Sequence, residues 1–93
     1  MSRTDWVHRL LVERGPLTAA AVGAGLRAAG VVSPEQCTRA ARNNATARKW
    51  PLDEQVRYGS TQIACQVMNQ LVRTGRARVA GRDNSGRKIT EAA

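Results

Sequence analysis

Gln66-Val67-Met68-Asn69-Gln70-Leu71-Val72-Arg73-Thr74-Gly75-Arg76-Ala77-Arg78-Val79 changes its hydrophobic period once, and the change falls at Thr74-Gly75. Up to Arg73 the apolar residues recur at helical spacing: traced backwards, Ile63, Val67 and Leu71 form one row and Ala64, Met68 and Val72 the next. After Gly75 the pattern alternates, with Ala77 and Val79 between Arg76 and Arg78, as in a strand. Gly81-Arg82-Asp83-Asn84-Ser85-Gly86 is turn chemistry, and Arg87-Lys88-Ile89-Thr90 resumes the extended pattern. The stretch predicts a helix capped by Ser60 or Thr61, stopped by Gly75, and running into a short β-hairpin.

Upstream, the sequence predicts three more helices. Thr4 is placed to cap the first, over 5–13, where Trp6 and Leu10, and Val7 and Leu11, recur at helical spacing before Gly15-Pro16 ends it. Thr18 is a good N-cap for a second helix reaching about Ala29, with Gly30 as its stop. Gly23 and Gly25 weaken that helix by about 1 kcal/mol each against Ala, so a close approach by another backbone is expected there. Ser33-Pro34-Glu35-Gln36 combines a Ser cap, Pro at the first helical position and Gln three residues after the cap. The third helix is expected to run to about Arg48. Lys49–Gly59 contains Pro51 and Gly59 and no clean period, so it reads as a connection with one short helical turn, anchored to the core by Trp50. The fold class is mainly α with a small β-hairpin: four helices and a C-terminal two-stranded hairpin, with residues 1–93 as a single domain.

Composition narrows the partners. Fifteen basic residues stand against seven acidic ones, for a formal charge of +8. Such an excess on a small surface raises a field suited to a polyanion, and nucleic acid leads among the candidates. No apolar run reaches membrane-spanning length and the start lacks the apolar stretch of a secretory signal, so a cytoplasmic protein with no membrane partner is expected. The preference for Arg and Ala hints at a GC-rich bacterial or phage genome.

Catalytic chemistry finds little to work with. His8 is the only histidine, and Asp5 and Glu13 are merely near it in sequence. Asp53-Glu54, the only adjacent acidic pair, is better placed to open a helical turn after Pro51 than to hold a cation. Cys37 and Cys65 form no Cys-x-x-Cys pair and are expected as reduced core thiols. Neither an enzyme, a metal site nor a cofactor is expected.

Opposite the apolar rows of the fourth helix lie Gln62, Gln66, Asn69 and Arg73, at spacings of four, three and four, which align them in one stripe. Amide side chains can pair bidentately with adenine, and Arg with guanine. Taken alone the stripe could be ordinary solvated surface. The hairpin segment beyond it adds Arg76, Arg78, Arg82, Arg87 and Lys88, opposed within the turn only by Asp83, and a hairpin so charged should seek phosphate. Charge that merely protects an edge strand is the plain alternative.

The order of helix, Gly-Pro-Leu-Thr, helix, and then an amphipathic helix ending in Arg-Thr-Gly and entering a basic hairpin resembles the winged helix-turn-helix superfamily over nearly the whole chain. The resemblance implies a double-stranded DNA-binding protein, of the kind found as small transcriptional regulators. Its major-groove helix would carry Thr61, Gln62, Gln66, Asn69 and Arg73, and its wing Arg76, Arg78, Arg82, Asn84, Arg87 and Lys88. One departure is the additional helix within Ser33–Gly59, where a short turn is usual. It leaves a second assignment open, with Arg39, Arg42, Asn43 and Thr46 of the third helix presented to DNA. Other functional classes share the size and charge: an RNA-binding or ribosome-associated protein, and a winged protein-interaction module. Few aromatic residues speak against base stacking on RNA. Homodimer formation is left open.

Overall fold

The computed structural model describes residues 1–93 as four α-helices and a small three-stranded antiparallel sheet. Helix α1 (Arg3–Arg14) is capped by Ser2, whose hydroxyl accepts from the Asp5 amide at 3.1 Å; Thr4, the expected cap, lies inside the first turn. β1 (Leu17–Thr18) follows after Gly15-Pro16. Thr18 also caps α2 (Ala19–Ala28), accepting from the Ala21 amide at 3.2 Å. The capping box at Ser33 forms in full: Gln36 N–H donates to Ser33 Oγ at 3.1 Å, and Ser33 N–H to Gln36 Oε1 at 2.8 Å.

The helix so started, α3 (Pro34–Ala41), is shorter than its expected extent to Arg48. Asn44 explains the difference. Its side-chain oxygen accepts from the amides of Thr46 and Ala47, at 2.9 and 3.3 Å, offering the backbone a local turn in place of a further helical one. A 3₁₀ turn (Ala47–Lys49) leads to Pro51, where α4 (Leu52–Arg73) begins.

The largest departure from the sequence expectation is here: Leu52–Gly59 is helical and continuous with the rest of α4 up to Arg73. Ser60 therefore caps nothing. It is fully buried within the helix, and its hydroxyl and that of Thr61 donate to the Arg57 carbonyl at 2.8 and 3.1 Å. Gly59 and Ser60 are small because α4 is crossed there from two sides. A Cβ on Gly59 would collide with the Cys37 backbone of α3, and one on Gly23 of α2 would lie 2.9 Å from the Ser60 carbonyl carbon. The chain accepts the helix-weakening cost of glycine to bring three backbones together. Gln55 fastens the start of α4, its buried amide donating to the carbonyls of Trp50 and Arg48 at 2.9 and 3.2 Å.

At the other end Gly75, at φ +80°, stops α4 with a Schellman motif: Arg76 N–H reaches Leu71 O at 2.8 Å and Gly75 N–H reaches Val72 O at 3.1 Å. The reversal aims the chain into β2 (Ala77–Arg82), which pairs with β3 (Lys88–Ala92). The expected two-stranded hairpin is thus part of a larger sheet, because β1 joins the free edge of β3 in the order β1-β3-β2, with Leu17 opposite Thr90. One core of aliphatic residues unites the elements, from Val7, Leu10 and Leu11 of α1 through Val22 and Leu26 of α2 to Ile63, Val67, Met68 and Leu71 of α4. No helix is long and apolar enough to cross a membrane.

Candidate nucleic-acid interface

The second half of α4 supplies the polar face. Gln66, Asn69 and Arg73 are exposed and Gln62 is half-buried near Asn43 and Asn44, while Ile63, Val67 and Leu71 face the core. Thr61 is half-buried, with its hydroxyl engaged inside the helix. Between Thr61 and Arg73 there is no acidic residue.

The hairpin lies alongside. Lys88 Nζ donates to Asn69 Oδ1 at 3.1 Å, joining the helix stripe to β3 across a sequence separation of 19 residues. The register between β2 and β3 shifts between Val79 and Gly81, a bulge that sets Arg82 opposite Lys88. Cross-strand partners point to one face of a sheet, so these two cations share a side.

Asp83 is the organiser of the tip and not just a stray negative charge. Its carboxylate accepts from the amides of Ser85 and Arg87, both at 2.9 Å, and its own amide donates to the Arg87 carbonyl at 2.9 Å. Arg82 closes the loop from the side by donating to the Gly86 carbonyl at 2.8 Å. Asn84 stands exposed at the apex, and the Arg87 side chain is exposed and makes no ion pair.

At the base of the hairpin the cations are neutralised. Arg76 pairs with Asp5 of α1 at 3.1 Å and Arg78 with Glu91 of β3 at 2.9 Å. Hydrogen bonds from Arg76 and then Ser2 hold the Asp5 carboxyl below its ordinary value. The six hairpin residues singled out from sequence therefore divide: Arg76 and Arg78 are committed to acids within the protein, whereas Arg82, Asn84, Arg87 and Lys88 surround the tip and the edge facing α4. Glu91 and Asp5 were each visible in the sequence, but their pairing required the antiparallel register and the return of α1.

The alternative set does not form one helical row. Arg39 lies on α3 and Arg42 ends it, but Asn43 and Thr46 belong to the turn beyond, and the Arg42 carbonyl accepts from Arg48 Nε at 2.7 Å. All four are exposed.

Cys37 is fully buried, and burial pushes its thiol above the ordinary range. Cys65, expected in the core, is instead half-buried on the outward side of α4, where Asn69 Nδ2 approaches its sulfur at 3.8 Å. Trp50 also departs from its expected anchoring role: it meets Tyr58 edge-on at the rim of a cleft, with ring centroids 5.3 Å apart. Tyr58, Arg57 and the first residues of α2 border that cleft too and were not singled out from sequence. No local signal marked them, since Leu52–Gly59 buries only Gln55 and Gly59 and carries no apolar row. No group of three or more His, Cys, Asp or Glu side chains is arranged to hold a metal ion. Comparisons with known protein families, curated proteins and solved structures give no match.

Proposed function

We propose that the chain is a winged-helix domain that binds double-stranded DNA with sequence preference, acting as a small transcriptional regulator. Thr61–Arg73 of α4 reads base edges in the major groove, and the hairpin tip with Arg82, Asn84, Arg87 and Lys88 engages phosphates or the minor groove. The observation that carries this reading is the Lys88–Asn69 contact, which makes the uncharged amide stripe and the basic hairpin one continuous surface. The chemistry of the two parts is complementary. Gln66, and the half-buried Gln62, offer a donor and an acceptor side by side, as adenine requires, Asn69 can do so once it releases Lys88, and Arg73 offers the fork that guanine requires. The hairpin cations add affinity without regard to sequence.

The test is a mobility-shift titration of random duplex DNA and of single-stranded RNA at two salt concentrations, followed by selection of preferred duplex sites. Duplex binding that weakens steeply with salt, and selection that converges on a motif, are the expected results. Absence of duplex binding at low salt overturns the proposal. A second reading, single-stranded RNA, is favoured by the half-buried position of Trp50 and Tyr58 at the cleft, since aromatic rings there are available for stacking. Preference for the RNA strand in the same titration would select it.

A further inference from the structure

Between α4, the start of α2 and β3 lies a cleft of about 590 Å³, within the range of roughly 300–1,000 Å³ usual for small-molecule sites. Its two ends differ in chemistry. At one end are Trp50 and Tyr58, two of the chain's three aromatic residues, with ring planes 88° apart, and beside them on α4 the Glu54 carboxylate and the Arg57 guanidinium also line the cleft. Asn44 Nδ2 donates to the Tyr58 hydroxyl at 3.1 Å and so fixes that ring.

The other end is built for negative charge. Arg87 and Lys88 reach it from the hairpin, and Ala19 and Ala20 open α2 there, with amides that precede the first intrahelical bond. Thr18 satisfies only the Ala21 amide. A second observation points to an occupant independently of the helix end: Thr90 lines the cleft, is 0% exposed, and its hydroxyl has no hydrogen-bond partner. Buried hydroxyls are almost always paired, so this one leaves in the cleft wall a polar atom that a bound ligand or an ordered water would satisfy.

We infer that this cleft binds a small planar aromatic compound carrying an anionic group, a carboxylate or a phosphate. The ring stacks at the Trp50–Tyr58 end and the anion is held by the α2 amides, Lys88 and Arg87. Asn69 and the same two hairpin cations belong to the proposed DNA surface, so the ligand competes with duplex. The ligand site stands on the cleft alone; only the competition rests on the DNA-binding reading.

The experiment titrates the full chain with phenyl phosphate and, separately, with inorganic phosphate, following tryptophan fluorescence and the amide resonances of Ala19 and Ala20. Phenyl phosphate is expected to saturate, to shift both amides, and to bind at least about tenfold more tightly than inorganic phosphate. Tyr58→Ala and Lys88→Gln should each weaken it by about tenfold, and Lys88→Gln, on a half-exposed strand position, keeps the test valid should Tyr58→Ala fold poorly. Equal binding of the two phosphates, or no saturation, overturns the inference. A second arm adds phenyl phosphate to the chain bound to labelled duplex. Ligand binding by a chain with no affinity for duplex would uphold the cleft and overturn the DNA reading; duplex binding without ligand binding would do the reverse. Independent binding of both would overturn the competition.

Discussion

The two halves of α4 are one continuous helix with opposite surroundings. The first half, Leu52–Ser60, is crossed at its end by α3 at Gly59 and by α2 at Ser60, and these two residues are small and buried while Leu52, Asp53, Glu54 and Arg57 stay exposed. Thr61–Arg73 is packed on one side only and turns Gln66, Asn69 and Arg73 to solvent beside a basic hairpin. The first half is constrained by volume, the second by chemistry. A helix pinned at its crossing and carrying an exposed polar face without acidic residues is what precise presentation of side chains to a partner requires.

The crossing is most sensitive at Gly59. Its replacement by Ala forces the new methyl into the Cys37 backbone, which cannot rotate away, so a loss of about 3 kcal/mol or more is expected in denaturant unfolding. Gly23→Ala is the milder partner experiment. The contact there is less severe and Ala regains about 1 kcal/mol of helix propensity, so a net loss of about 1–2 kcal/mol is expected. If Gly59→Ala unfolded at the same denaturant concentration as the parent chain, the close crossing would be wrong.

Substitutions in the second half should leave folding alone. Gln66→Ala and Asn69→Ala are expected to change stability by no more than about 0.5 kcal/mol. Each should cost about 1–3 kcal/mol at a preferred DNA site, with binding to random duplex nearly unchanged. Should Arg39→Ala and Arg42→Ala erase sequence preference while Gln66 and Asn69 prove inert, α3 is the reader and α4 its support.

These contrasts also mark what was legible in the sequence. The second half of α4, the Gly75 stop and the capping box at Ser33 could be placed because each is a local signal: a period, a left-handed glycine, a reciprocal pair of side-chain bonds. The first half could not, because Gly59-Ser60 is indistinguishable from a stop and cap until the backbones of α2 and α3 are known to press against it. In the same way Arg76 and Arg78 read as free cations alongside Arg82 and Arg87. Their partners Asp5 and Glu91 are supplied by tertiary pairing and by strand register, neither of which is written locally. β1 escaped notice for the related reason that two residues, Leu17 and Thr18, carry no period of their own.

The cysteines sharpen the same division at smaller cost. Cys37 lies under the α3–α4 crossing with a thiol raised by burial, and Cys65 is half-buried on the outward side. With a maleimide near neutral pH, Cys65 should label under native conditions, while Cys37 should label only as fast as the crossing opens. Cys65→Ala should leave DNA affinity unchanged, whereas a maleimide adduct at Cys65, next to Asn69, should weaken it. Equal labelling rates for the two thiols would contradict the buried crossing.

The smallest expected effects separate the tip of the hairpin from its base. Arg87→Ala removes an unpaired cation at the tip and should lower the slope of log affinity against log salt by about one unit, weakening preferred and random duplexes alike. Arg78→Ala removes a cation already matched by Glu91, so its phosphate contribution and its effect on the slope should be smaller. Arg76→Ala should likewise change the slope little, since that guanidinium is committed to Asp5. Acid provides a check on the pairing. Because Asp5 titrates below its ordinary value in the folded chain, its contribution to stability is complete above the unfolded-state value and is lost as pH falls through the lower folded one. An NMR titration of the Asp5 carboxyl should therefore show a midpoint that rises towards the ordinary aspartate value in Arg76→Ala. A midpoint unmoved by that substitution would mean that Arg76 is free in solution, and the base of the hairpin would then have to be counted with the tip as a phosphate-seeking surface.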